Sequence, residues 1–369
     1  MPGEFDPAEE LGLFPDRIFV CNCRGFITKN NYLRDLCARF IRNGAHFFDV
    51  LVRYDELTAY VLGREEATAG NFVKWVVPFL KANGATDHLI DRFGMEDMQL
   101  MPGATTAVRY IASQMPSFIN TSLYEHGMMR VSEQFDTPLC ESFCTKMEVD
   151  NVQFSRAESR KLREMAETIS ALRIPKVEYE LNVPMEVDAA DVKIIRTMDD
   201  IIQEQIPGLN AMSLMESVVP VTSHKKAYQL LDIRRQTNID LDSTFYIGSD
   251  NTDVQSLDLV RDAGGVSVAF NGTDFAVRGS TIAILSKDST VGAVFAEQFF
   301  NRGIEAVLDL ARNWDRKYLK EAEFPDRNLV DAMLAAHPRK LPEVYIVDRK
   351  NVDEIAAKSA EYRKKTLGA

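Results

Sequence analysis

One recurring unit restricts this chain more than any other feature: a short apolar run, a polar turn, then residues with helical periodicity. Five runs carry it: RIFVC from Arg17 to Cys21, the run from Ser117 to Asn120 or Thr121, TFYI from Thr244 to Ile247, GVSVAF from Gly265 to Phe270, and IAIL from Ile282 to Leu285. Helical patterns lie between them, over Tyr32 to Asn83, Leu123 to Phe135, Lys225 to Arg235 and Thr252 to Ala263. Strands alternating with such helices specify a parallel sheet covered on both faces, the doubly wound α/β class. Sheets of this kind place ligands at the C-terminal ends of their strands, near a topological switch point. The turns after Cys21, Ile119 and Ile247 are therefore the predicted site, and polar residues gather in all three.

Two stretches break the rhythm. From Phe143 to about Val221, the segments CTKMEVDNVQF, VEYELNV and DVKIIRT read as strands around a charged helix, RAESRKLREMAETISAL, which suits an inserted α+β module. From about Ser289 onward the chain reads as helical and highly charged, with one strand at Glu343 to Val347. At roughly 100–200 residues per domain, 369 residues suggest two or three domains.

Composition narrows the function class. Forty-three basic against 55 acidic side chains leave a net charge of −12, which argues against binding a nucleic-acid backbone. The hydrophobic fraction of 46% predicts a sizeable core rather than disorder. No apolar run reaches the roughly 18 residues of a membrane span, and the start, Met1-Pro2-Gly3-Glu4, lacks a secretion signal, so a cytoplasmic protein is expected. Five cysteines, an odd number, do not form a disulfide framework. Cys21 with Cys23 and Cys140 with Cys144 could supply four thiolates to a metal, but the C-x-C spacing is unusual for zinc, and buried reduced thiols are the simpler reading.

The turn Gly248-Ser249-Asp250-Asn251-Thr252-Asp253 is the sharpest local signal. Two carboxylates three apart, after a strand and opening a helix, suit a hard cation such as Mg²⁺. Taken alone, the simpler reading is a cap, with Asp250 or Thr252 on the helix and Asp253 complementing its dipole. Lys226 starts a helix where an ammonium would reach an anion at the strand ends. His126 would face the cleft or the surface, His224 would cap the Lys226 helix, and His46 would pack among apolar residues. Cys21 or Cys23 beside Arg24 is a further candidate nucleophile, with no paired base in view.

Taken together, the turns resemble those of the haloacid dehalogenase-like phosphotransferase superfamily. They are most similar to an archaeal group whose first motif reads D-C-E-G followed by Thr. The matching stretch here is Asn22-Cys23-Arg24-Gly25-Phe26-Ile27-Thr28. The resemblance implies a Rossmann-like core in two parts (1–27 with 101–142, and 222–288), a helical cap at 28–100, an α+β cap at 143–221 and a helical C-terminal extension at 289–369. It implies a catalytic position at Asn22 and Arg24, phosphate contacts from Asn120 or Thr121 and from Lys226, and a metal at Asp250 and Asp253.

Two departures matter. The family's nucleophilic Asp is replaced by Asn22, whose amide cannot form an acyl-phosphate, and its acid/base carboxylate by Arg24, which is permanently charged. Both changes also weaken the expected Mg²⁺ site. The expected function is therefore a catalytically degenerate member that binds a phosphorylated or anionic ligand, or a protein partner through the C-terminal extension. The alternatives are a working Mg²⁺-dependent phosphatase or phosphotransferase, and a structural subunit of an assembly.

Overall fold

The computed structural model describes residues 16–64, 67–135, 141–176 and 187–368. Its centre is a seven-stranded sheet: β1 (Ile18–Cys21), β2 (Ser117–Tyr124), β3 (Glu141–Thr145), β4 (Thr244–Gly248), β5 (Val266–Phe270), β6 (Ile282–Leu285) and β7 (Glu343–Ile346). Their order across the sheet is β3-β2-β1-β4-β5-β6-β7, with the first six parallel and β7 antiparallel to β6. The chain winds from β1 out to β3, then returns to the other side of β1 and winds out to β7. The switch point thus lies at β1, where the predicted site turns converge.

Strand alternation divides the core. Phe19 and Cys21 point to one face and Ile18 and Val20 to the other, all fully buried, as expected where helices cover both sides. On the first face Phe19 stacks with Phe245 at 6.1 Å between ring centroids, and Phe245 meets Phe299 of the helix Thr290–Arg312 at 5.6 Å. On the second face Tyr246 and Val20 pack with Leu230, Ile233 and Leu257, together with Ile355 and Ala356 of the C-terminal helix Val352–Leu367. The charged stretch after residue 289 is therefore bound into the core: it supplies the edge strand β7, and its last helix closes the second face.

Two insertions stand over the strand ends. Between β1 and β2 lie the helices Tyr32–Phe40, Gly44–Glu56, Phe72–Ala82 and Asp87–Asp97. Between β3 and the Lys226 helix (Ser223–Thr237) lie Arg156–Ala171, Ala189–Asp199 and Ala211–Ser217, and the first of these packs against both Gly44–Glu56 and Phe72–Ala82. DVKIIRT is helical rather than a strand. Asp188 caps it by accepting from Asp191 N at 2.7 Å, and Ile194, Ile195, Met198 and Ile201 fall on one buried face at helical spacing. CTKMEVDNVQF is extended only to Thr145, apart from a single bridge from Lys146 to Val219, and VEYELNV lies outside the described residues. No helix among the described residues is long and apolar enough to cross a membrane.

Candidate active site

The turn after β1 is held by its own backbone. Cys23 O accepts from Ile27 N at 2.7 Å and Thr28 N at 2.8 Å, and Gly25 N donates to Thr28 O. Gly25 has φ +89°, and a Cβ there would lie 2.8 Å from Phe270 O, so both the conformation and the close approach require glycine. Ser249 Oγ donates to Arg24 O at 2.6 Å and ties this turn to the one after β4.

Asp253, fully buried, is the hub of the site. Its Oδ1 accepts from Lys226 Nζ at 2.7 Å and Tyr246 OH at 2.9 Å. Its Oδ2 accepts from Ser249 N at 2.8 Å and from Asp250 N and Asn22 Nδ2, both at 2.9 Å. Asp250 and Asp253 form a reciprocal capping box on the Asn251–Asp253 turn, whereas the helix that follows, Val254–Asp262, has no side-chain cap. Lys226, also fully buried, adds a bond to Thr252 Oγ1 at 3.0 Å.

Asn22 faces two carboxylates, which fixes its amide orientation: Nδ2 donates to Asp253 and, at 3.3 Å, to Asp250 Oδ2, while Oδ1 accepts from Cys23 N. Asp250 Oδ1 bonds Arg363 of the C-terminal helix, and Arg24 Nη1 lies 3.6 Å away. Arg363 is itself buried and donates to Asn271 O at 2.7 Å and Ser249 O at 3.3 Å. Burial alone would raise the Asp250 carboxyl, but Arg363, Arg24 and Lys226 together hold it below the usual range. Arg24 is lowered to about 9, first by burial and then by Arg363, and stays protonated at neutral pH. Its Nε and Nη2 are buried without a hydrogen-bond partner. Arg24, Arg363 and Lys226 against Asp250 and Asp253 leave one positive charge in excess.

Asn120 and Thr121, adjacent on β2, point to opposite faces. Asn120 Nδ2 donates to Lys226 O at 3.0 Å, whereas Thr121 lines the cleft. Burial raises the Cys23 thiol to about 12 and the Cys21 thiol well above its ordinary value, so neither supplies a thiolate near neutrality. Cys144 is raised to about 11, again by burial, and Cys140 lies outside the described residues. His126 is buried against the cap helix, its Nε2 3.4 Å from Asp87 Oδ1, and faces neither cleft nor solvent. His46 Nε2 bonds Leu172 O at 2.7 Å, and the Lys226 helix is capped by Thr222 rather than His224.

These donors and acceptors do not fit a Mg²⁺ ion. The five donors on Asp253 occupy both its oxygens, and Asp250 Oδ1 is taken by a guanidinium. Asn22 Nδ2 and Arg363 supply, as hydrogen-bond donors, the positive potential that a cation would otherwise bring to these carboxylates. Among the described residues no group of three or more acidic, His or Cys side chains is arranged to hold a metal. Sequence reasoning missed Arg363 and Tyr246. Neither belongs to a motif, and Arg363 arrives from a helix that reads as an appended tail.

Over the strand ends lies a cavity of about 480 Å³, open at one side and walled by the turns after β1, β2 and β4 and by the cap helices. At the cap's base, Asp55 is buried and accepts from Gly70 N at 2.6 Å, and the next turn is pinned to the Lys226 helix through Ser223 N to Ala69 O. Burial raises the Asp55 carboxyl to about 8.

No protein-family model and no curated protein matches the chain. Among solved structures, gene product AF1437 of Archaeoglobus fulgidus superposes with a TM-score of 0.75 at 21% identity, covering 96% of this chain and 97% of that one. Apo phosphoserine phosphatase follows with a TM-score of 0.42 at 12% identity, over 74% of this chain and 95% of its own. A haloacid dehalogenase family hydrolase of Salmonella enterica serovar Typhi has a TM-score of 0.40 at 12% identity, over 72% of each chain. With its strand order and its switch point at β1, the chain has a doubly wound α/β fold, shared along nearly its whole length with the archaeal gene product.

Proposed function

We propose that this is a phosphatase-type scaffold retired from phosphoryl transfer, whose cleft binds an oxyanion without a metal. The observation that carries the reading is the charge balance around Asp250: Arg363 pairs with its carboxylate and Asn22 donates to it, so Arg24, which lines the cleft, brings one positive charge more than Asp250 and Asp253 balance. Charge-assisted hydrogen bonds between a guanidinium and an oxyanion are stronger than neutral ones, so an oxyanion is the ligand this excess charge suits. Thr121, within β2, brings a hydroxyl to the cleft, its Oγ1 accepting from Leu123 N. The group at the nucleophile's position is an amide whose Nδ2 donates to the carboxylates and whose weakly nucleophilic Oδ1 accepts from Cys23 N, so it does not form an acyl-phosphate.

Calorimetric titration with inorganic phosphate tests this. Binding is expected with excess EDTA as with Mg²⁺, and is expected to weaken at least tenfold in Arg24→Gln. Phosphate release from a panel of esters that requires Mg²⁺ and disappears in Asp250→Asn would overturn it. Restoring acids at 22 and 24 is not expected to restore turnover while Arg363 still bonds Asp250, so the informative variant carries Arg363→Gln as well.

A further inference from the structure

The walls of the cavity differ in chemistry from its floor, and the difference points to what fills it. The floor carries the excess positive charge, with Arg24 3.6 Å from Asp250. Higher up, the charged groups are committed to one another. Arg34 forks Asp49 at 2.8 and 2.9 Å, and Arg53 bonds Glu56 at 2.9 Å. The amides there are engaged too: Asn30 donates to Asp35 at 2.7 Å, and Asn31 caps the helix Tyr32–Phe40. What faces the space beside these pairs is mainly apolar. Leu33, Phe48, Val52, Phe72 and Leu123 line it, with Phe48 and Val52 one turn apart on a helix and Phe48 set edge-on to Phe72 at 5.5 Å.

Resting on the oxyanion reading above, we infer that the ligand is an amphiphile: one oxyanion head on Arg24 joined to an apolar body lying along Phe48, Val52 and Phe72. A polyhydroxylated body, such as a sugar phosphate, would set most of its hydroxyls against the apolar side chains, and burying unpaired hydroxyls is unfavourable. A hydrocarbon body loses nothing there and gains the transfer free energy of its buried methylenes. About 480 Å³ accommodates a body of several carbons beside the head, within the usual range of small-molecule sites.

The test is a titration series on the unmodified protein with inorganic phosphate, ethyl, butyl and hexyl phosphate, glycerol 3-phosphate and hexanol. Affinity is expected to rise roughly two- to fourfold per added methylene. Glycerol 3-phosphate is expected to bind no better than ethyl phosphate, and hexanol far more weakly than hexyl phosphate. Val52→Thr, isosteric and uncharged, should shrink the chain-length increment measured against inorganic phosphate on the same variant, with the melting curve confirming the fold. If that variant does not fold, the series on the unmodified protein still decides. Phosphate binding with no gain from the chain, or with glycerol 3-phosphate the tightest, overturns the amphiphile and spares the oxyanion reading. Chain-length gains that persist unchanged in hexanol overturn the anionic head. No binding of any phosphate overturns both.

Discussion

Asp253 and Arg24 belong to the same turn-lined cleft, both charged and both drawn out of water, yet they are opposite cases. The carboxylate accepts five hydrogen bonds, while two nitrogens of the guanidinium, Nε and Nη2, have no partner among the described residues. A buried charge is tolerated when its hydrogen bonds are complete, and Asp253 meets that condition from within the chain. Arg24 does not meet it from the described residues. On the function proposed above the former is architecture and the latter the anion's partner, and substitutions separate them.

The largest effect is expected from Lys226→Met, which keeps the volume but strands a fully buried carboxylate. Urea unfolding at pH 7 should show a loss of about 3–5 kcal/mol. A loss under 1 kcal/mol would mean Asp253 is not the hub described. Arg363→Ala should cost about 2–3 kcal/mol through its bonds to Asp250 and Asn271, and should free the C-terminal helix to local hydrogen exchange. Exchange unchanged in that helix would show that its packing alone holds it.

Asp55 sharpens the comparison, because it is buried with one oxygen bonded and the other bare. Its raised value means the folded chain binds the proton more tightly than the unfolded chain. Its contribution is complete below the ordinary carboxyl range and is lost as pH climbs through about 8. Between pH 6 and 9 the unmodified protein should lose roughly 1–3 kcal/mol that Asp55→Asn, which still accepts from Gly70, does not lose. Parallel pH profiles would remove Asp55 from the account. The smallest effect carries the opposite sign: Arg24→Met should gain about 1 kcal/mol while abolishing phosphate binding, the pattern of a group kept for function. A loss of stability there would make Arg24 structural after all.

Much of this site was legible in the sequence because strand-end turns are local. Asn22, Arg24, Lys226, Asp250 and Asp253 each follow an apolar run or open a helix, and the parallel topology brings such positions together at one edge. Asn120 and Thr121 remained ambiguous until the strand's phase was known, since neighbours on a strand face opposite ways. The isoleucines at 194 and 195 favoured a strand by propensity, and the Asp188 cap with burial at helical spacing overrode it. Arg363 left no local trace. It sits among lysines and glutamates in a helix of weak amphipathic character, and only the antiparallel turn of β7 aims that helix at the cleft.

That route has a kinetic corollary. Asp250 meets Asn22 across 228 residues of chain and Arg363 across 113, so the cleft is built from contacts of very high order in sequence. Such contacts are expected to close late in folding, after the local helices and the inner strands have formed. Recovery of anion binding during refolding should therefore lag recovery of helical signal. A single backbone nick between β6 and the last helix would be enough to uncouple a finished core from an assembled site.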